Sequence, residues 1–283
     1  MGAPFASEQW RPCRTAVDLW EGPSMKRLLA FAASLALLPG LALGTPKLNI
    51  GSMSDYLRAD KNVFVKRIHN SGDSTAFVRV QAWELIRKAD GSYDEVPLDT
   101  GSADGQRALV VSPARLIIPA AGMQTVRLLF TGPRAHERLF RLRFRPVVPE
   151  GGDDFQLSDA QAEAYEDSLS GNVQMLAGFG SLLFVRPSQV KHQLAVHKQP
   201  GGFLVRNVGN ATAVLDSFRR CDKAGYDCKP AVVHHLVPGA ERVFPQQAGE
   251  TIIFEHLRGA DAAQPYEIRG EPTPVRQSAF TQR

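Results

Sequence analysis

The amino-acid sequence predicts an all-β protein built of antiparallel sandwiches. Three observations carry the prediction. Between residues 108 and 149 the chain alternates short apolar runs with stops: Leu109-Val110-Val111 before Ser112-Pro113, Leu116-Ile117-Ile118 before Pro119, Leu128-Leu129-Phe130 before Gly132-Pro133, and Leu139 to Phe144 before Pro146. Runs of this length and spacing read as strands, and no helical stripe tolerates so many prolines. In the last run Phe140, Leu142 and Phe144 alternate with Arg141, Arg143 and Arg145, so a strand here has one apolar and one cationic face. Finally, 283 residues accommodate two domains of ordinary size.

In chain order, Met25-Lys26-Arg27 opens a cationic segment, Leu28 to Leu43 is apolar, and Ala42-Leu43-Gly44 is a small-x-small cleavage site. Residues 25–44 therefore read as a secretory signal peptide, too short for a stable membrane span. Residues 1–24 carry Glu8, Arg11, Arg14, Asp18 and Glu21, and read as an extension upstream of a true start at Met25. From Thr45 to Asn70 two strands are expected, followed by a turn at Asn70-Ser71-Gly72-Asp73 and a strand over Phe77 to Glu84, with Trp83 as a core aromatic. Residues 87–107 read as a polar hairpin loop with an edge strand. Residues 150–171 are acidic and poor in strand formers, which predicts a mobile loop. Val173 to Pro187 is the next strand. Both its faces are largely apolar, so it is either central or paired with something outside the chain, and Gly178 and Gly180 weaken it in isolation. The pattern of short strands resumes from Ser188 and contains the turn Asn207-Val208-Gly209-Asn210. The boundaries expected are 45–187 for the first domain, 188–269 for the second and 270–283 for a disordered tail.

The composition excludes several classes of function. Charged residues make up 22% of the chain and the net charge is +4, with basic residues spread over strands rather than clustered beside aromatic platforms; a nucleic-acid partner is not expected. The chain contains no nucleophile elbow, phosphate-binding loop or H-E-x-x-H motif, so neither an enzymatic activity nor a cofactor is expected. Cys13 lies upstream of the signal. Cys221 and Cys228 remain in the mature chain and predict a disulfide in an oxidising compartment. A metal site would need two more ligands, and the adjacent His234 and His235 point to opposite faces of a strand, which predicts surface histidines.

Several segments resemble one family. The stretch from Ile117 to Leu128, reading I-x-P-A-x-G-x-x-x-V-R-L, the strand E-R-L-F-R-L-R-F at 137–144, the Q-A-W at 81–83, and the N-x-G-N at 207–210 followed by a strand and Cys221 resemble periplasmic pilus chaperones. The similarity is to the alternate chaperone-usher, colonisation-factor branch and runs from about Leu48 to about Ile268. It implies two immunoglobulin-like β-sandwiches set at an angle. It also implies a periplasmic chaperone that binds pilus subunits by donating a strand and passes them to an outer-membrane usher. The positions matching the donated strand are Val173, Met175, Ala177 and Phe179, with Phe179 also placed to pack on the first domain. The basic pair that anchors a subunit's terminal carboxylate in the better-known branch falls at Leu182 and near Ser54. Neither is basic, which leaves Arg141, and after it Arg143, as the substitute. Arg186 matches an arginine that pairs with acids to fix the domains, here Glu137 and Asp261; as a surface pair it would contribute about 0 to 1 kcal/mol. Self-capping as a homo-oligomer is left open. The alternative is a secreted pilus subunit or adhesin, which would carry an alternating apolar N-terminal extension that Thr45 to Ile50 is too short to supply.

Overall fold

A computed structural model of the chain describes residues 45–98, 108–150, 155, 157–170, 176–222, 226–258 and 262–270. In chain order the strands are β1 (Leu48–Asn49), β2 (Ser54–Leu57), β3 (Val63–Asn70), β4 (Ala76–Arg87), β5 (Tyr93–Pro97), β6 (Leu109–Ser112), β7 (Arg115–Ile118), β8 (Met123–Phe130), β9 (Arg138–Pro146), β10 (Phe179–Val185), β11 (Leu194–Gln199), β12 (Gly202–Asn207), β13 (Ala213–Cys221), β14 (Val232–Leu236), β15 (Glu241–Pro245), β16 (Thr251–Leu257) and β17 (Ala263–Arg269). A helix, α1 (Asp159–Ser170), lies between β9 and β10. The first sandwich packs a sheet of order β1-β3-β8-β6 against one of order β2-β10-β9-β4-β5, with β7 also on β4. The second packs β11-β12-β15 against β14-β13-β16-β17. Each sandwich has its own apolar core, so the all-β, two-sandwich expectation holds.

The face assignment read from alternation is realised. Phe140, Leu142 and Phe144 are fully buried, while Arg141, Arg143 and Arg145 lie on the opposite face. The same parity corrects Trp83. Val78, Val80 and Ala82 fill the core, so Trp83 stands half-buried on the outer face, where the Arg143 guanidinium stacks 4.2 Å from its ring centre.

The expected first strand is two strands. β1 pairs with β3 in one sheet, whereas β2 pairs with β10 in the other. The chain changes sheets at Gly51, whose φ of 67° only glycine adopts readily. The expected mobile loop at 150–171 contains α1. Ser158 and Gln161 form a capping box: the Ser158 hydroxyl accepts from the Gln161 amide (3.3 Å), and the Gln161 carbonyl oxygen accepts from the Ser158 amide (3.0 Å). Tyr165 then donates to the carbonyl of Thr75 (2.8 Å) and packs edge-on against Phe77, which also meets Phe155.

Both sandwiches turn the same corner with a buried asparagine. Asn70 donates to the carbonyls of Ser74, Ile118 and Pro119 and accepts from the amides of Lys47 and Gly72. Asn207 donates to those of Ala211 and Leu236 and accepts from the Gly209 amide. At Gly209 a Cβ would sit 2.2 Å from the Lys191 carbonyl oxygen, so the close approach requires glycine.

One ion pair lies inside the first sandwich. Lys66 Nζ meets Asp55 Oδ2 at 2.6 Å and the Ser52 carbonyl at 2.7 Å, with both side chains buried. Burial pushes the Asp55 carboxyl above its usual range, opposed by Lys66. Removing one partner would strand a buried charge. We expect Lys66→Met to lower the unfolding free energy by about 3–5 kcal/mol in urea denaturation, and Asp55→Leu with Lys66→Met to recover most of that loss.

Candidate functional site

β10 is paired on one side along its whole length, with Phe179 opposite Phe144 and Val185 opposite Arg138 of β9. On its other side β2 reaches only Leu182 to Val185. Among the described residues, Phe179, Gly180 and Ser181 therefore have one edge with no strand beside it. The strand was expected from Val173; residues 173–175 lie outside the described residues, 176–178 are not in a strand, and β10 runs over Phe179–Val185. In the β9 register residue 177 would face Pro146, which ends β9 and has no N–H to offer. Of the residues assigned to a donated strand, Val173 and Met175 lie outside the described residues, Ala177 is exposed, and Phe179 is half-buried against the first core. Phe179, Ser181, Leu183 and Val185 share the core-facing parity, and Gly180, Leu182 and Phe184 the other.

The outer parity of β10 leads to the second sandwich. Phe184 stacks on Tyr56 (ring centres 5.0 Å apart) and lies 5.9 Å from the ring of His235 on β14. The Tyr56 hydroxyl and His235 Nδ1 are hydrogen-bonded at 2.6 Å. Just past β10, Arg186 Nη1 donates to Glu137 Oε1 and to the Thr212 carbonyl, both at 2.7 Å. The second Glu137 oxygen accepts from the Thr212 amide (2.7 Å) and hydroxyl (2.5 Å). The Arg186–Glu137 pair expected from the resemblance is thus present, but not at the surface: the side chains are 11% and 5% exposed. A pair this deep is strongly destabilising to break, so the surface figure of 0 to 1 kcal/mol does not apply. Burial raises the Glu137 carboxyl, and Arg186 and Thr212 oppose it. Asp261 lies outside the described residues. Thr212, Tyr56 and His235 were not found from the sequence; each acts on a partner distant in the chain, and no local spacing marks it.

A third group lies further out on the same face. Register places Trp83, Arg141, Leu182 and Ser54 side by side across β4, β9, β10 and β2. The two positions where the better-known branch carries its basic pair are therefore neighbours here, with Arg141 beside them. Arg141 and Arg143 both bond the Glu95 carboxylate of β5, the latter at 2.5 Å, and all three side chains are partly exposed.

In the second sandwich, Cys221 and Cys228 form the expected disulfide. The histidines expected at the surface differ from one another. His235 is exposed but engaged with Tyr56, and His234 is half-buried among Phe218 and Phe244. His256 is fully buried, and among the described residues neither ring nitrogen has a hydrogen-bond partner. Burial, then the neighbouring His192, Arg258 and Arg186, push its pKa down to about 4.

Two β-sandwiches are thus joined by a buried arginine–glutamate pair, and among the described residues one end of β10 has an edge with no strand beside it. No family profile matches the chain. A protein of Escherichia coli K12 described as the probable fimbrial chaperone EcpB is 30% identical over 216 residues, covering 74% of this chain and 86% of that protein. Its counterpart in Escherichia coli O157:H7 matches to the same extent. Among solved structures, the class 5 fimbriae chaperone CfaA aligns with a TM-score of 0.51 at 17% identity, over 80% of this chain and 100% of that one. The Pseudomonas aeruginosa CupB2 chaperone aligns at 0.50 and 14%, over 78% and 100%. The chain belongs to the fimbrial chaperone family.

Arg186→Ala removes the cation that holds Glu137 charged in the interior. It is expected to lower the melting temperature by several degrees and to make residues 186–193 sensitive to limited proteolysis; an unchanged melt with no new cleavage would show that the clamp does not hold the sandwiches. For His256 the sign follows from its depressed pKa. Above about pH 6.5 the ring is neutral in both states and its full contribution is present. As pH falls below 6.5 the unfolded chain takes up the proton first, and stability is lost until about pH 4, on the order of 3 kcal/mol in total. His256→Leu should flatten that part of the stability profile relative to the native sequence, measured by urea titration at a series of pH values.

Proposed function

We propose that the protein is a periplasmic chaperone that captures pilus subunits by adding the strand around Val173, Met175, Ala177 and Phe179 to their incomplete sheet, and then delivers them to an outer-membrane usher. The open edge of β10 carries this reading. An edge with an apolar parity continuous with its own core can supply both the backbone partners and the side chains that an unfinished sandwich lacks. Ala177, exposed and unpaired, stands where the added strand would leave this molecule and enter the other. Arg141 and Arg143 are the anchor for the subunit's terminal carboxylate in this reading. Their support is the row that sets Arg141 beside Leu182 and Ser54. The subunit or adhesin alternative is less well supported, because both sandwiches have closed cores and the relatives are chaperones.

Ala177→Asp places a charge at the added strand without touching this protein's core. It should reduce recovery of soluble chaperone–subunit complex by an amount corresponding to about 2 kcal/mol or more, and leave the melting curve of the free chaperone unchanged. Undiminished complex recovery would count against strand addition.

A further inference from the structure

We infer that Glu95 is an internal plug: in the free protein its carboxylate occupies the carboxylate-binding site formed by Arg141, Arg143 and Trp83, and an incoming polypeptide terminus displaces it. The inference rests on the proposed anchor role of Arg141 and Arg143 and adds to it a resident occupant and a means of release.

The geometry is that of a filled carboxylate site. The two Glu95 oxygens are taken separately, Oε1 by Arg141 and Oε2 by Arg143. Arg143 Cζ lies 4.2 Å over the Trp83 ring centre, so the guanidinium is positioned before any ligand arrives. Two guanidinium groups facing one carboxylate leave an excess positive charge on the face. Next to Arg143 in the register is Gly180, which places no side chain over it and leaves bare strand backbone beside the arginines. Phe184, on the same parity of β10, packs against His235 of the second sandwich, so the arginines share a sheet face with that contact.

The plug is weakly held. Among the described residues β5 is the outermost strand of its sheet and pairs only with β4, and every residue in it is exposed. Ion pairs this exposed contribute little. Strands with few buried contacts open at small free energy. A terminal carboxylate delivered by a polypeptide already paired along β10 gains from effective concentration, so it can replace Glu95. Until then Glu95 neutralises part of the cationic face and raises the threshold for anionic ligands that do not also engage the strand.

The test uses the full-length mature protein, its Glu95→Gln variant and a Glu95→Gln, Arg141→Ala double variant, with a fluorescein-labelled Gly-Val-Thr-Val-Phe peptide as probe. The peptide is presented as the free acid, as the C-terminal amide, and as an amide carrying a glutamate side chain. Glu95→Gln should bind the free acid up to about fivefold more tightly than the native sequence, with melting unchanged. The double variant should lose that gain, and both amides should bind weakly to all three proteins. Equal binding of the acid by native and Glu95→Gln proteins would overturn the plug, and so would an equal gain for the amide that carries no carboxylate. Soluble-subunit recovery is measured in parallel. Capture by the native protein without a peptide gain in Glu95→Gln leaves the chaperone reading standing and removes the plug. A peptide gain without subunit capture leaves the carboxylate site standing and removes that reading.

Discussion

Burying Arg186 with Glu137 constrains the arrangement of everything on either side of it. Two charges taken out of water need each other and need their remaining hydrogen-bonding capacity filled. Thr212 fills it from the second sandwich with its amide, hydroxyl and carbonyl. The clamp therefore forms only when the turn before β9, the residue after β10 and the start of β13 come together. Because Arg186 directly follows β10, that end of the strand is locked. Tyr56 and Phe184 extend the contact by stacking toward His235. The opposite end of β10 has no such restraint, since β2 stops short of it. One strand is thus fixed at its Arg186 end and, among the described residues, open along one edge at the other.

What could be read from the sequence was what local pattern encodes. Alternation at 139–145 gave the buried and cationic faces of β9 correctly, because period two is imposed by the pleat itself. The cysteine pair and the Arg186–Glu137 contact were also named, the latter through family resemblance. Features that depend on distant partners were not. Lys66 looks like any polar residue of an alternating strand until β2 brings Asp55 against it. Trp83 was assigned to the core by residue type, but the parity of Val80 and Ala82 places it outside. Helix α1 was missed despite a local signal: Ser158 and Gln161 have capping-box spacing, and the acidic composition around them masked it.

The repeated asparagine corner shows how the same solution serves both sandwiches. Asn70 and Asn207 each use one side chain to satisfy carbonyls and amides of a tight turn that would otherwise be buried without partners. Both were visible in the sequence as N-x-G turns. Their burial, and the carbonyls they serve across the sheet, were not, because those partners lie as far as 49 residues away.

Magnitudes separate the ion pairs into two kinds. Lys66–Asp55 and Arg186–Glu137 are nearly dry, so breaking either strands a charge at a penalty of several kcal/mol; these pairs hold the first core and the hinge in one arrangement. The contacts of Arg141 and Arg143 with Glu95 are open to water and contribute at most about 1 kcal/mol. The two kinds are separated along the molecule. The costly pairs sit inside the first sandwich and at its contact with Thr212 of the second, and the cheap ones sit on the outer face that β10 shares with β9, held by the peripheral β5. In the proposed chaperone reading this division is what an exchange of partners at an edge requires, because an anchor as deeply buried as Arg186 could not release what it binds.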